Sequence, residues 1–198
     1  MSAIRLERLT GDRLKARLPD LARLRITVFR AFPYLYAGSA AYEERYLATY
    51  AAAEGSVIVG AFDGERVIGA STGLPMEHEP ESIKGPFRER GYDVARVFYF
   101  GESVLLPEYR GAGVGVRFFG EREAHARELG RFDVATFCGV IRPADHPRRP
   151  EGYVPLDAFW RRRGYEPVPG LIGHIAWRDL DEEQETAKPM QFWIKRLR

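Results

Sequence analysis

The chain has 198 residues, 45% of them hydrophobic and 13% aromatic, and a net charge of +2. That apolar content excludes disorder and predicts a core, and a chain of this length buries roughly 70% of its unfolded surface without a disulfide or metal staple. Its 30 basic residues against 28 acidic ones give no strong pull towards nucleic acid or membrane. The single cysteine, Cys138, excludes an intramolecular disulfide, and the four histidines show no metal-ligand spacing, so no metal is expected. The first residues contain no apolar signal-peptide core, and no stretch reaches the ~18 apolar residues of a membrane span. The expectation is a soluble cytoplasmic protein with a single domain over residues 1–198.

Residues 3–8 alternate as a strand does. Gly11-Asp12 precede a helical stretch with Leu14, Leu18, Leu21, Leu24, Ile26 and Val28 near helical spacing, and Pro19 is its break point. Residues 32–36 form an aromatic loop, and Ser39 caps a second helix over 40–53. Residues 56–62 and 66–72 read as a hairpin, because Asp63 and Gly64 tolerate the positive φ of a tight turn. Residues 75–95 are a long polar excursion with a short helix, and excursions of that length are often functional. Residues 97–106 form a long apolar strand ended by Pro107. A glycine-rich turn then opens a helix over roughly 114–129, stopped by Gly130. Residues 132–140 are another apolar strand, 142–154 a Pro- and Arg-rich loop, and 155–164 a short helix. Residues 171–177 and 190–197 look like two last strands joined by an acidic loop. An early hairpin and a central strand–helix–strand unit imply an α/β fold, with a mixed sheet and helices on both faces.

Chemistry is concentrated in residues 105–117, where a strand runs into glycines and the glycines open a helix. This is an anion cradle: the first N–H groups of a helix lack partners, the helix dipole adds about half a positive charge, and glycines allow close backbone approach. A P-loop would need a Lys that is absent. A Gly-x-Gly-x-x-Gly fingerprint fails, because Val116 or Phe118 falls where the last glycine should stand. A third pattern, Arg/Gln-x-x-Gly-x-Gly/Ala, is met by Arg110, Gly113 and Gly115. Preceded by Pro107-Glu-Tyr and a long strand, it resembles the pyrophosphate loop of the GNAT superfamily of N-acetyltransferases. The segment 157–165, ending in Gly164-Tyr165, is similar to that family's fourth helix, and 188–195 to its last strand. The resemblance spans nearly the whole chain. The competing reading is a glycine turn that serves only strand–helix packing.

The resemblance implies a central, largely antiparallel sheet of about six or seven strands, splayed between the fourth and fifth, and an enzyme that transfers an acetyl or other acyl group from acetyl-coenzyme A to a primary amine. The pyrophosphate would rest on the backbone of Arg110, Gly111, Ala112, Gly113, Val114, Gly115 and Val116. The pantetheine arm would pair with the open edge at Val104, Leu105 and Leu106. An N–H near Leu105 or Leu106 would polarise the thioester carbonyl.

An amine must lose a proton before it attacks, so a general base is needed. Glu102 is the first candidate: it lies in an apolar strand, where the family often places a carboxylate, and an apolar setting makes a carboxylate a better base. The alternative is an ion pair with one of the many arginines. Trp160 stands where many family members carry an acidic Tyr, and an indole N–H is no practical proton donor. Tyr153 and Tyr165 are the nearby substitutes, with Tyr153 taken as the catalytic candidate. Phe159 and Trp160 read as core and substrate wall, and Tyr34 as part of an aromatic substrate wall. Cys138 sits mid-strand without a neighbouring His and reads as core rather than as a nucleophile. The acceptor would be a small molecule or a peptide amine. The resemblance suggests a homodimer. A catalytically weak module that only binds acyl-coenzyme A is the alternative function, favoured by Trp160.

Overall fold

The computed structural model describes residues 3–198. A mixed sheet is built from β1 (Arg5–Arg8), β2 (Val57–Asp63), β3 (Arg66–Pro75), β4 (Val97–Tyr99), β5 (Ser103–Leu105), β6 (Val134–Val140), β7 (Glu166–Trp177) and β8 (Thr186–Arg196). The order is β1-β2-β3-β4-β6-β8-β7, with β5 paired to β3. All pairings are antiparallel except β4 with β6. Helices α1 (Gly11–Phe29), α2 (Ala40–Ala52) and α3 (Glu81–Glu89) cover one face, and α4 (Val114–Glu128) and α5 (Asp157–Arg161) the other.

Two cores result, one per face, and the strands feed both by alternation. Ile58 and Phe62 pack under α1 and α2, whereas Val57, Val59 and Ala61 pack under α4. α1 runs unbroken past Pro19. The proline forfeits one backbone bond, and burial of Leu14, Leu21, Ala22 and Leu24 outweighs that loss. Ser39 caps α2 by accepting from the Tyr42 N–H at 3.4 Å. The last two strands are longer than their apolar cores suggest, because ladder pairing carries them through Pro167 and Lys188.

The main departure from expectation lies at 97–106, which is two strands rather than one. Leu74 faces Tyr99 and Ser71 faces Ser103, so three steps along β3 match four steps along the partner. The extra residue is a β-bulge at Gly101-Glu102. Thr72 serves both bulge residues: its carbonyl accepts from the Gly101 N–H at 3.2 Å, and its N–H donates to the Glu102 carbonyl at 3.1 Å. Before the bulge, Val97 and Tyr99 point towards α1 and α2; after it, Val104 does. The bulge bends the chain away from β6. The last contact is the Phe100 N–H donating to Thr136 at 2.7 Å. Beyond that point β5 pairs with β3 alone among the described strands, and the sheet is split between β5 and β6.

Gly101 is required by close approach. A Cβ there would stand 2.3 Å from the Tyr50 Oη and 2.6 Å from the Thr72 Oγ1.

Candidate active site

The split opens onto the glycine loop. A 3₁₀ turn at Pro107–Tyr109 ends the strand, and the Tyr109 hydroxyl donates to Asp63 at 2.8 Å, tying the loop to the β2–β3 turn. Gly111 and Gly113 have φ of 81° and 77°, left-handed values that favour glycine. Gly113 is the N-cap of α4, and buried Val114 anchors the helix start in the core. Gly115 lies against Phe159, whose ring would be 3.3 Å from a Cβ. Arg110, Gly111, Ala112, Gly113 and Val116 are exposed. None of the N–H groups of residues 111–116 donates to a backbone carbonyl among the described residues, so a row of donors faces outward at the positive end of α4. The donor set suits a pyrophosphate.

The uncovered edge of β5 continues this row. Leu106 donates its N–H to Ile68 at 2.9 Å, and the Glu102 carbonyl accepts from Thr72, so the even-numbered residues face β3. Antiparallel alternation then turns the N–H groups of Ser103 and Leu105 to the open edge. Of the two residues expected to offer a donor here, Leu106 is committed to β3, whereas Leu105, like Ser103, turns its N–H to the open edge. Val104, also expected along the pantetheine arm, buries its side chain in the core under α1 and α2 and turns its N–H and C=O to β3, so it offers no free group to a ligand.

Arg122 props the bulge from below. It is 2% exposed, and its guanidinium donates to the carbonyls of Glu102 (3.0 Å) and Thr72 (3.3 Å) and to the Ser103 Oγ (2.8 Å). It lies 4.2 Å above the Phe100 ring. Burial lowers its pKa to about 10, which leaves it charged at neutral pH.

On the opposite face a set of polar side chains surrounds the bulge. Arg25, at a core-facing position of α1, is ion-paired with both Glu43 and Glu102 and lies 4.4 Å over the Tyr46 ring. Tyr46 also donates to Glu102 at 3.3 Å. Glu102 is therefore held by an arginine and a tyrosine, the ion-pair arrangement weighed from sequence. Beside it, Tyr50 donates to Glu79 at 3.2 Å. Burial pushes the Glu79 carboxyl up to about 7; the Tyr50 hydrogen bond and Lys84 oppose the rise, and the Glu102 charge adds to it.

Sequence reasoning singled out the 75–95 excursion but not this residue. Glu77, Glu79 and Glu81 look alike there, and only pairing separates them. Glu77 binds Arg131, Glu81 binds Arg88, and Glu79 turns inward to Tyr50.

Tyr99 and Cys138 complete the inner wall, with hydroxyl and sulfur 3.2 Å apart. Burial pushes the Cys138 thiol up to about 12, so it stays protonated and is a poor nucleophile at neutral pH. Tyr34 forms the outer wall. Its ring packs 4.7 Å from Phe29 and 5.9 Å from Trp177, and burial, then Cys138 and Tyr153, raise its phenol pKa. The loop that carries it is clamped by Arg142, which donates to the carbonyls of Pro33 (2.7 Å) and Tyr34 (2.9 Å) while paired with Asp179 at 2.7 and 2.9 Å.

Tyr153 is half-buried at the rim, edge-on to Phe32 at 4.8 Å and under Arg149. Burial raises its pKa. Trp160 is wedged between Phe137 and Trp193, 5.0 Å from each, and lies on the α4 side, away from Tyr34. Tyr165 is fully buried there, its hydroxyl donating to Glu123 at 3.1 Å, so it is committed elsewhere. Among the described residues no group of His, Cys, Asp and Glu is arranged to hold a metal, and no helix is long and apolar enough to cross a membrane.

The sequence matches no protein-family profile and no curated protein. Solved structures do match over nearly the full length. A ribosomal-protein-alanine N-acetyltransferase from Brucella melitensis superposes with a TM-score of 0.61 at 15% identity, covering 97% of this chain and 99% of that one. The Salmonella typhimurium protein YncA, solved with its cofactor acetyl-CoA, gives 0.62 at 12% identity, over 100% and 95%. An aminoglycoside 6'-N-acetyltransferase complexed with coenzyme A gives 0.61 at 12% identity, over 98% and 97%. Identities this low speak for architecture alone, and the architecture of this chain is the GNAT acetyltransferase fold.

Proposed function

We propose that the chain transfers an acetyl group from acetyl-coenzyme A to a primary amine. The observation that carries this reading is the split strand. Its free N–H edge at Ser103 and Leu105 is followed, after a 3₁₀ turn in which Tyr109 and Arg110 donate to Leu106 and Pro107, by the unpartnered N–H groups of residues 111–116. The two stretches suit the two ends of an extended amide-bearing arm that carries a pyrophosphate, the open strand edge the amides and the helix start the phosphates. Arg110 adds an exposed positive charge at the phosphate end.

The thioester carbonyl would accept from the Leu105 or Ser103 N–H, where charge develops as the amine attacks. Arg122 strengthens this donor: it bonds the Glu102 carbonyl, and the N–H of that same peptide unit belongs to Ser103. The amine would approach from the opposite face, between Tyr34, Tyr46 and Glu79. Relatives of this fold that act on an aminoglycoside or a ribosomal-protein alanine differ widely in acceptor, and the acceptor here is left at the level of a small-molecule or peptide amine.

A titration with acetyl-coenzyme A, with NAD and ATP as controls, tests the donor site. Ligand at about 100 times its dissociation constant stabilises by about 2.7 kcal/mol. At roughly 2–4 °C per kcal/mol, the melting temperature should rise by roughly 5–10 °C. Absence of any shift at millimolar ligand would overturn the reading. A second reading, binding without turnover, draws on Trp160, which stands at the sequence position where the resemblance implies a proton donor and instead packs against Phe137 and Trp193. Release of free thiol with any amine removes it.

A further inference from the structure

The structure assigns proton abstraction to Glu79, and with it an acceptor that arrives as a cationic primary amine between Tyr34, Tyr46 and Tyr50. The inference rests on the acetyl-transfer reading and specifies the acceptor side of that site.

The assignment starts from the carboxylates on the α1–α2 side of the split. Glu43 is fully buried and ion-paired with Arg25. Glu102 is almost as buried and is held by both Arg25 and Tyr46. Neither carboxylate is free to accept a proton without abandoning a buried guanidinium. Glu79 is partly exposed, and its carboxylate accepts from the neutral Tyr50 hydroxyl rather than from a guanidinium. The nearest cation, Lys84, is engaged with the Glu77 carbonyl at 3.0 Å and with Glu81 at 3.7 Å.

Position agrees with availability. The Tyr50 hydroxyl that donates to Glu79 is the same group that stands against Gly101 at the bulge. Glu79 is therefore one hydroxyl away from the point where the strand splits and the Ser103 N–H becomes free.

Charge defines the substrate class. Arg25 sits between Glu43 and Glu102, and Arg122 lies at the bulge below Glu102, whereas Glu79, which holds its proton to about pH 7, has no guanidinium against its carboxylate. The groups facing Glu79 are Tyr46 and Tyr50 from α2, Tyr99 from β4, Cys138 from β6, Glu102 from the bulge and Lys84 from α3. Of these only Lys84 is positive. An incoming ammonium supplies the cation absent from that carboxylate, and the tyrosine rings favour a cation over their faces. An alcohol would supply neither.

In the step itself, the ammonium gives one proton to the Glu79 carboxylate and becomes a free amine. Its nitrogen lone pair forms the N–C bond at the thioester carbonyl. The C–S bond breaks with its electron pair on sulfur. The remaining excess proton on nitrogen goes to the coenzyme A thiolate, and Glu79 later releases its proton to solvent.

Two readouts test this. The first needs no substrate. The folded pKa of Glu79, about 7, lies above the ordinary carboxylate value of 4.5, so the unfolded chain loses this proton first. The wild type should then lose stability between about pH 4.5 and 7, and Glu79→Gln should not show that loss. The second is thiol release from acetyl-coenzyme A with spermidine, kanamycin, lysine and a free-amino-terminal alanyl peptide. The wild-type rate should rise through a limb near pH 7. Glu79→Gln should lose the limb and about 10²–10³ of kcat while binding acetyl-coenzyme A as before. Tyr50→Phe removes a bond that lowers the Glu79 pKa, so it should move the limb to higher pH. Retention of the limb in Glu79→Gln, equal pH dependence of stability in both proteins, or transfer to none of these amines by a chain that binds acetyl-coenzyme A would overturn the assignment. Failure of the wild type to bind acetyl-coenzyme A would instead remove the functional reading beneath it.

Discussion

The two sides of the split sheet are built in opposite ways. The side proposed for the donor is backbone: N–H groups of Ser103, Leu105 and residues 111–116, all within one short run of chain. The side proposed for the acceptor is side chains: Arg25, Tyr46, Tyr50, Glu79 and Glu102, drawn from α1, α2, the turn after β3, and the bulge. A backbone site tolerates substitution wherever φ and free space permit. A side-chain site in a buried setting fails when one partner is removed.

The largest effect should therefore come from the acceptor side. Arg25→Met leaves Glu43 and Glu102 buried without their cation. Breaking a buried ion pair from one end costs about 3–5 kcal/mol, and denaturant unfolding should report a loss of that size. Adding Glu43→Gln and Glu102→Gln to the same chain should recover part of it, because the uncompensated charges disappear. A loss below about 1 kcal/mol for Arg25→Met would mean that the cluster is hydrated, which would break the contrast between the two sides.

On the donor side, Gly113→Ala forces an L side chain into φ of 77°, at a site where a Cβ meets nothing within 4 Å. The cost to folding is conformational only, roughly 1–2 kcal/mol. The added methyl faces the space left for a phosphate, so affinity for acetyl-coenzyme A should fall more than stability does. Equal melting-temperature shifts by acetyl-coenzyme A in Gly113→Ala and wild type would show that this turn is packing rather than a cradle.

The same contrast explains what the sequence revealed. Gly111, Gly113 and Gly115 announce a backbone requirement at the positions that have it, and Arg110 and Pro107 fix their context. The hairpin at 63–64 and the helix after Gly113 are legible for the same local reason. The bulge is not, since Gly101-Glu102 sits inside a run, 97–106, that reads as one strand, and it is recognised only when two registers against β3 are compared. Glu79 is hidden further still. Its partner Tyr50 is 29 residues away, and its two acidic neighbours are distinguished from it only by Arg131 and Arg88. One signal was available: Arg25 shares the α1 face with Leu14, Leu21 and Ala22, and a charge on a core stripe calls for a buried partner. Glu102, the sole acid in the 97–106 run, is that partner. Trp160 and Tyr165 are read from a resemblance to a family's fourth helix; packing against Phe137 agrees with the core reading of Trp160 but takes it off the substrate wall, and it removes Tyr165 as a candidate acid.

The smallest effect lies at the outer rim, where Glu182 is partly exposed although its partners Lys188 and Asp179 are buried. Lys188 donates to both Glu182 oxygens, at 2.7 and 2.8 Å, and Glu182 also accepts from the Asp179 N–H at 3.0 Å. These bonds, the Lys188 one foremost, lower the Glu182 carboxyl to about 2. A depressed carboxylate stabilises the fold above its ordinary value of 4.5, and that contribution is lost as pH falls from about 4.5 through about 2. Asp179 is also the residue that holds Arg142 against the Tyr34 loop. Acid should thus loosen the outer wall of the acceptor side while the donor side, made of groups that do not titrate, keeps its shape. Acid titration followed by tyrosine and tryptophan fluorescence should show an early transition in wild type that Glu182→Gln, already lacking the charge, does not show. Acetyl-coenzyme A binding measured at pH 4 should be equal in the two proteins, because the row of N–H donors is the same in both.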